Sequence, residues 1–267
     1  MTMGKAPRIT IEDLSLAFRT GTGPFVALDR VSFDIAPGSF VSVVGPSGCG
    51  KSTLLKLLSG VYSPTSGRIL FDGKPVEKER LQGQVGYVFQ RALLLPWRTA
   101  LQNVMLTMEV ARRSMTRAQR EAEALKWLEI AGLKGFEHRF PHELSGGMQQ
   151  RVSICRALAF RPQILLMDEP FGALDEITRE TLQNELLQLW QQTETTVVFI
   201  THSIPEAVIL SEQIVVMSAR PGRVVERINV PFPRPRVDSV REHPDFVEMA
   251  GHIRSLLHPR AHAIAAE

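Results

Sequence analysis

Apolar positions in the first forty residues recur with a period of two. Ile9 and Ile11 alternate with polar neighbours, and Leu14, Leu16 and Phe18 then alternate in the opposite phase. The phase change predicts strand segments joined by a bulge near Glu12-Asp13. Gly21, Gly23 and Pro24 mark a turn, after which Val31, Phe33 and Ile35 resume the alternation. Phe40 to Val44 is nearly all apolar and β-branched, the pattern of a strand covered on both faces of a sheet. A glycine-rich stretch from Gly45 to Gly50 follows, and Lys51 to Leu58 then has the composition of a helix.

From about Ala92 to Ala159 the pattern turns helical. Thr116 with Gln119 forms a capping box ahead of a face made of Ala118, Ala122, Leu125 and Leu128, with Gly132 as the stop. Strand patterns return at Ile164 to Met167, Val197 to Ile200 and Ile214 to Met217, separated by helical ones. Strand and helix in alternation predict an α/β fold with a mostly parallel sheet. Residues 8–228 read as one α/β domain with a helical subdomain inserted over roughly 92–160. Beyond them, Pro231, Pro233 and Pro235 make residues 229–267 an extension that opens as an extended linker and ends in a helix over Pro244 to Leu257.

Composition narrows the class without deciding it. The 267 residues are 44% hydrophobic and 22% charged, which excludes wholesale disorder and a fibrous fold. No apolar run is long enough to span a bilayer, and Met1 to Pro7 lacks the apolar core of a secretory leader, so a cytoplasmic location is expected. Two cysteines, Cys49 and Cys155, cannot build a disulfide framework or a Cys-rich metal site. The net charge of +3 is mild and does not call for a nucleic-acid partner. The arginines at 220, 223, 227, 234, 236 and 241 read as a solvated face, with contact to a membrane surface or partner as the alternative.

The chemistry is carried by three segments. Gly45-Pro46-Ser47-Gly48-Cys49-Gly50-Lys51-Ser52 fits G-x-x-x-x-G-K-[ST] and sits between a strand and a helix. Glycines let backbone N–H groups turn inward around phosphate oxygens, the helix end favours an anion, Lys51 reaches the β/γ-phosphates, and the Ser52 hydroxyl can hold Mg²⁺. At the end of Ile164 to Met167, Asp168 supplies a metal carboxylate and Glu169 a base for the attacking water. Together these predict nucleotide hydrolysis. Leu144-Ser145-Gly146-Gly147-Met148-Gln149-Gln150-Arg151 places a hydroxyl and free N–H groups at the start of a helix whose inner face is Val152, Cys155 and Ala159. It is either an ordinary N-cap or a second phosphate-binding surface. One triphosphate does not need two helix ends from one chain, but two chains meeting head to tail would close each other's sites. Cys49, beside Lys51 and a helix start, reads as a thiol of lowered pKa or as a small residue accepted for its size.

With these segments in this order, residues 8 to 226 resemble the ATP-binding subunit of an ABC transporter. Gln90 after Val85 to Phe89 resembles the Q-loop, Ala173-Leu174-Asp175 the D-loop, and His202 after Val197 to Thr201 the switch histidine. The resemblance implies an ABC ATPase fold with an N-terminal antiparallel β subdomain. It implies ATP and Mg²⁺ as cofactors, with ATP held by Gly45 through Thr53 and metal contacts from Ser52, Gln90 and Asp168. Glu169, His202 and Gln90 are the implied catalytic residues, and Ser145, Gly146, Gly147 and Gln149 touch the partner chain's ATP. Phe18 resembles the aromatic that stacks on adenine, with Phe25 competing.

Leu94-Leu95-Pro96-Trp97-Arg98 and Pro221-Gly222-Arg223-Val224 resemble the nitrate/sulfonate/taurine group of importers, although Ser203 stands where many members have Asp. The resemblance then implies a homodimer on the cytoplasmic side of the membrane, working with transmembrane permease subunits and, indirectly, a substrate-binding protein. Leu95, Trp97 and Arg98 are the expected coupling residues; Leu94, Leu95 and Trp97 packing a subdomain core is the bland alternative. A soluble ABC ATPase acting on DNA or ribosomes is the rival function. Lys51 and Ser145 lie too close together for the long coiled coil of chromosome-type members, and a single cassette is present.

Overall fold

The computed structural model describes residues 6–21, 23–76, 81, 83–236 and 238–257; most of the Met1 to Pro7 segment lies outside them. The chain divides into two compact units, Pro7–Val76 with Val198–Glu267, and Glu77–Val197 with Met1–Ala6.

In the first unit, alternating residues build a hairpin of β1 (Ile9–Thr20) and β2 (Gly23–Ile35). The register shifts between Ile11 and Leu14 where Asp13 takes a positive φ of 46°, so the inverted phase comes from a bulge that keeps Ile9, Ile11, Leu14 and Leu16 all buried. β4 (Ser66–Phe71) and β5 (Lys74–Pro75) complete an antiparallel sheet of order β2-β1-β4-β5. The all-apolar run is β3 (Phe40–Val44), buried at every position. Its one polar side chain, Ser42, is satisfied by the Ser211 hydroxyl. β9 (Gln213–Met217) pairs with β3 in parallel, and β10 (Val224–Asn229) pairs with β9 antiparallel. α1 (Lys51–Leu58) buries Leu54, Leu55, Leu57 and Leu58.

The proline-containing tail is anchored: Arg220, Arg223 and Arg227 are exposed as a solvated face requires, but Arg234, Arg236 and Arg241 are not. Arg236 is only 5% exposed and donates to the carbonyls of Val208, Ile209 and Ser211 at the end of α6 (Ile204–Leu210). Arg234 reaches Leu210 O and Glu212, and Arg223 pairs with Asp29. Orphan carbonyls at a helix C-terminus attract cations, which explains why arginines occupy these positions. Burial, then the neighbouring Arg234 charge, pushes the Arg236 guanidinium down to about 10, leaving it charged at neutral pH. α7 (Pro244–Leu257) follows, burying Phe246 and Ile253.

In the second unit β6 (Val85–Val88) pairs in parallel with β7 (Ile164–Asp168), and three helices follow β6: α2 (Ala100–Ala111), α3 (Arg117–Ile130) and α4 (Gly146–Leu158). The Thr116–Gln119 capping box forms, and α3 ends in a Schellman turn in which Leu133 N–H bonds Leu128 O and Gly132 N–H bonds Glu129 O. The buried face of α3 differs from the expected one: Ala124, Trp127 and Leu128 point inward, while Ala118, Ala122 and Leu125 do not. The large area of Trp127, and Ala131 one turn beyond Leu128, rotate the helix away from the alanine stripe. α5 (Glu176–Gln191) and the 196–197 start of β8 (Thr196–Thr201) end the unit. Among the described residues no helix is long and apolar enough to cross a membrane.

Replacing Arg236 by Leu would leave four carbonyls, those of Val208, Ile209, Ser211 and Phe232, without this donor. Urea unfolding should show a loss of about 3 kcal/mol. An unchanged midpoint would show that the arginine does not anchor the tail.

Candidate functional site

In the first unit, β3 delivers the chain to the Gly45–Ser52 loop and α1 carries it away. Gly48 and Gly50 have φ of 73° and 103°, a left-handed backbone that side-chain-bearing residues rarely adopt, so the glycines of the motif serve the turn itself. Lys51 is buried to 6% exposure, yet its ammonium donates to the carbonyls of Gly45 at 2.7 Å and Pro46 at 3.2 Å. A buried ammonium held by its own loop is a preset cation beside an anion cradle. Ser52 is exposed at the helix start and Thr53 half-buried.

Cys49 does not carry the activated thiol that its neighbours suggested. Burial pushes it above its ordinary pKa, outweighing the lowering from Lys51 and Arg220. Its sulfur fills the space beside Gly45, where a Cβ would come within 2.7 Å. Phe18 and Phe25 face each other in the β1–β2 register. Phe18 packs edge-on against Tyr62, with centroids 5.6 Å apart, whereas Phe25 has the Arg220 guanidinium 5.4 Å over its ring. His202 is exposed at the end of β8. Ser203, the departure from the family pattern, is the N-cap of α6 and accepts from Glu206 N–H, and its own N–H donates to the Thr201 hydroxyl. Ser keeps the capping function that Asp would supply.

In the second unit, Asp168 ends β7, and Tyr87 of β6 hydrogen-bonds its carboxylate. Burial, then the Asp168 charge and that bond, hold the Tyr87 hydroxyl above its ordinary pKa. Glu169 follows with φ of 46°, a conformation that costs roughly 1 kcal/mol for a residue with a side chain. β6 ends at Val88, one residue short of expectation, so Phe89 and Gln90 are exposed. A Cβ on Gly172 would lie 3.1 Å from the Gln90 amide nitrogen and 3.8 Å from Glu169 Oε2, which places both side chains against that glycine.

Ser145 is the N-cap of α4, accepting from Met148 N–H, and Val152, Cys155 and Ala159 form its buried face as expected. Nothing stands within 4 Å of a Cβ on Gly146, whereas one on Gly147 would meet Thr178 of α5 at 2.8 Å. Gln149 turns back to donate to Pro141 O and Leu144 O. Asp175 caps α5, and the Thr178 N–H bond holds its carboxyl below the ordinary range.

Trp97 is 70% exposed, so it does not pack a subdomain core; Leu94 and Leu95 are half-buried, and Arg98 pairs with Glu109. Three residues to which the sequence assigned no task, Asn103, Gln150 and Arg156, build this segment. Asn103, fully buried in α2, accepts from Leu95 N–H and donates to the carbonyls of Leu95, Arg98 and Thr99. On α4, Gln150 donates to Phe89 O, and Arg156 to the carbonyls of Ala92 and Leu93. A polar residue inside an apolar helical stripe was the available signal.

The Ser52 hydroxyl, the Gln90 amide and the Asp168 carboxylate each offer a hard oxygen, the donor type that Mg²⁺ takes. Among the described residues no cluster of three or more His, Cys, Asp or Glu side chains offers a rival metal site.

Residues 28–172 match the family model described as ABC transporter. The taurine import ATP-binding protein of Rhizobium johnstonii is 47% identical over 256 residues, covering 94% of this chain and 96% of that protein. The nitrate import ATP-binding protein of Synechococcus elongatus is 42% identical, covering 91% and 89%. A solved ATP-binding cassette, dimeric and in a post-hydrolysis state with ADP and Pi bound, is 35% identical with a TM-score of 0.74, over 84% of this chain and all of that one.

Cys155 is fully buried, and its thiol is pushed up to about 12, first by burial and then by Glu185. With both thiols raised, the thiolate fraction at neutral pH falls below that of a free cysteine. Neither cysteine should react appreciably with Ellman's reagent in the native chain, and both should react after unfolding. Rapid stoichiometric labelling of Cys49 at pH 7 would contradict the burial argument.

Proposed function

The chain belongs to the ABC transporter family, and from that premise we propose that it is the ATP-hydrolysing subunit of an importer for a small solute of the taurine, sulfonate or nitrate kind. Two copies, in this reading, form two composite sites on the cytoplasmic face of the membrane, bound to transmembrane permease subunits that a substrate-binding protein feeds. Residues 8–228 are the ATPase domain with a helical subdomain over 92–160, and 229–267 are the extension. The observation that carries the reading is the start of α4. Ser145 caps it, and among the described residues nothing lies within 4 Å of a Cβ on Gly146, so the helix start is open at that glycine. A second chain is the occupant that the dimeric cassette supports.

Each residue has a definite task. Gly45 to Thr53 receive the phosphates of ATP, with Lys51 already oriented on two loop carbonyls. Phe18 stacks on adenine, since a face of the Phe25 ring already carries Arg220. Bound through Ser52, Gln90 and Asp168, Mg²⁺ would neutralise charge on the phosphates. Glu169 takes the proton of the attacking water, and Gln90 and His202 orient water and γ-phosphate. Ser145, Gly146 and Gly147 place N–H groups and a hydroxyl on the partner's ATP. Gln149 supports that surface from behind by tying the loop carbonyls of Pro141 and Leu144. Asp175 shapes the same face. Leu95, Trp97 and Arg98 dock the permease; an exposed tryptophan on a stapled loop is a typical anchor.

Mixing two inactive variants tests trans assembly. Lys51→Ala removes the phosphate ammonium and Ser145→Arg blocks the partner's site. In trans assembly their heterodimer pairs the intact loop of the Ser145→Arg chain with the intact signature of the Lys51→Ala chain, leaving one whole site and one doubly damaged site. Each variant alone should stay below about 1% of wild-type hydrolysis, mixing should restore a substantial fraction of it, and no recovery on mixing would contradict the composite site. Trp97→Ala should leave the unfolding midpoint and ATP binding unchanged while weakening capture of the permease by about 2 kcal/mol. Undiminished co-purification from detergent would remove the docking role.

A further inference from the structure

One motif in the first unit is left without a task by ATP hydrolysis itself, the turn around Pro221-Gly222-Arg223 that follows β9. It is fastened firmly to β2. Gly222 N–H donates to Ala27 O and Asp29 N–H to Gly222 O, both at 3.0 Å, while Arg223 Nε donates to Asp29 at 2.9 Å. Inside the turn, the Ser218 hydroxyl donates to Pro221 O and accepts from Arg223 N–H. The turn also lies directly on the phosphate loop. A Cβ on Gly222 would fall 2.0 Å from the Cys49 carbonyl oxygen, so only glycine fits there. From this anchored turn Arg220 extends over the loop. Its Nε donates to Gly48 O at 2.7 Å, and its guanidinium sits 5.4 Å above the Phe25 ring. The same guanidinium occupies the space where a side chain on residue 48 would stand.

We infer that Arg220 is a positioning residue of the nucleotide site, in which the guanidinium, seated on Phe25, holds the Gly48 carbonyl outward and keeps the phosphate loop shaped for its ligand. The inference rests on the reading of Gly45 to Ser52 as the ATP-binding loop. In a trans peptide the C=O and N–H point in opposite directions, so pinning the Gly48 carbonyl also fixes the Cys49 N–H, which donates across the loop to Pro46 O at 3.2 Å. Several N–H dipoles converging on one point repel each other when no anion is present, and the loop gains by flipping a peptide. A cation on the outer carbonyl opposes that flip, and a charge-assisted hydrogen bond does so more strongly than a neutral one. Phe25 adds a cation–π seat that restricts where the guanidinium can go. Pre-organisation of this kind raises affinity for phosphates and leaves base preference alone, because Arg220 acts on the loop and not on the base.

The full-length chain, titrated with the fluorescent N-methylanthraniloyl derivatives of ATP, ADP and GTP, tests this. Arg220→Ala should weaken ATP and ADP by a similar factor, roughly tenfold. Arg220→Lys, which keeps the charge but loses the planar fork, should recover part of that loss. The ratio of ATP to GTP affinity should stay at the wild-type value in both variants. Arg220→Ala binding ATP within about twofold of wild type would overturn the inference, since a loss that small is no more than an ordinary surface change. A shifted ATP/GTP ratio would overturn it too, by making Arg220 a base-contacting residue. If the Ala variant fails to fold, the Lys variant decides: affinity equal to wild type rejects the brace, and a matched loss for ATP and ADP supports it. Failure of the wild-type chain to bind any of the nucleotides would remove the ATP-site reading and the brace with it, whereas wild-type binding with indifferent variants removes the brace alone.

Discussion

A loop that turns its backbone N–H groups toward one point has to be held in that shape by the residues around it, and that requirement shapes the first unit. Left-handed glycines at 48 and 50 make the turn possible, and Lys51 is buried with its ammonium on the loop's own carbonyls. β3, apolar on both faces, gives the loop a rigid entry, and the leucines of α1 give it a rigid exit. The turn after β9 closes the remaining side with Gly222 against the Cys49 carbonyl. Cys49 fits this picture as packing beside Gly45, with burial keeping its thiol protonated.

The second unit solves a related problem by different means. It must expose polar groups at the ends of β6, β7 and α4 while holding them still. Buried polar side chains do this by taking over loop carbonyls. Asn103 fixes the 95–99 segment, and Gln150 and Arg156 of α4 fix residues 89 to 93. The helix that begins at Ser145 is therefore tied through its own residues to the loop that carries Gln90 and leads to Trp97. A fixed loop can present Trp97 to solvent without folding it inward.

Much of this was legible in the sequence because it depends on local spacing. The phosphate loop, the Asp168-Glu169 pair, the Thr116–Gln119 cap and the bulge at Asp13 each need only a few neighbours in a set order. What was not legible depends on contacts between distant residues. Arg236 looks like part of a charged tail until α6 is seen to end beneath it, with three carbonyls to satisfy. The inward face of α3 follows Trp127 and not the alanine stripe, since a single large ring outweighs several methyl groups in buried area. Burial of Cys49 reverses what its charged neighbours imply. β10 shows no wholly apolar run, because half-buried and exposed positions alternate along Val224–Asn229.

The central claim is that ATP joins two copies of this chain through the loop of one and the Ser145 helix start of the other. Sedimentation velocity of the Glu169→Gln variant measures this most directly, because binding persists while water activation fails. The account predicts a monomer with Mg²⁺ alone and a stable dimer on addition of ATP, abolished by adding Ser145→Arg to the same chain. A Glu169→Gln chain that binds ATP and remains monomeric at concentrations well above its nucleotide affinity would contradict it.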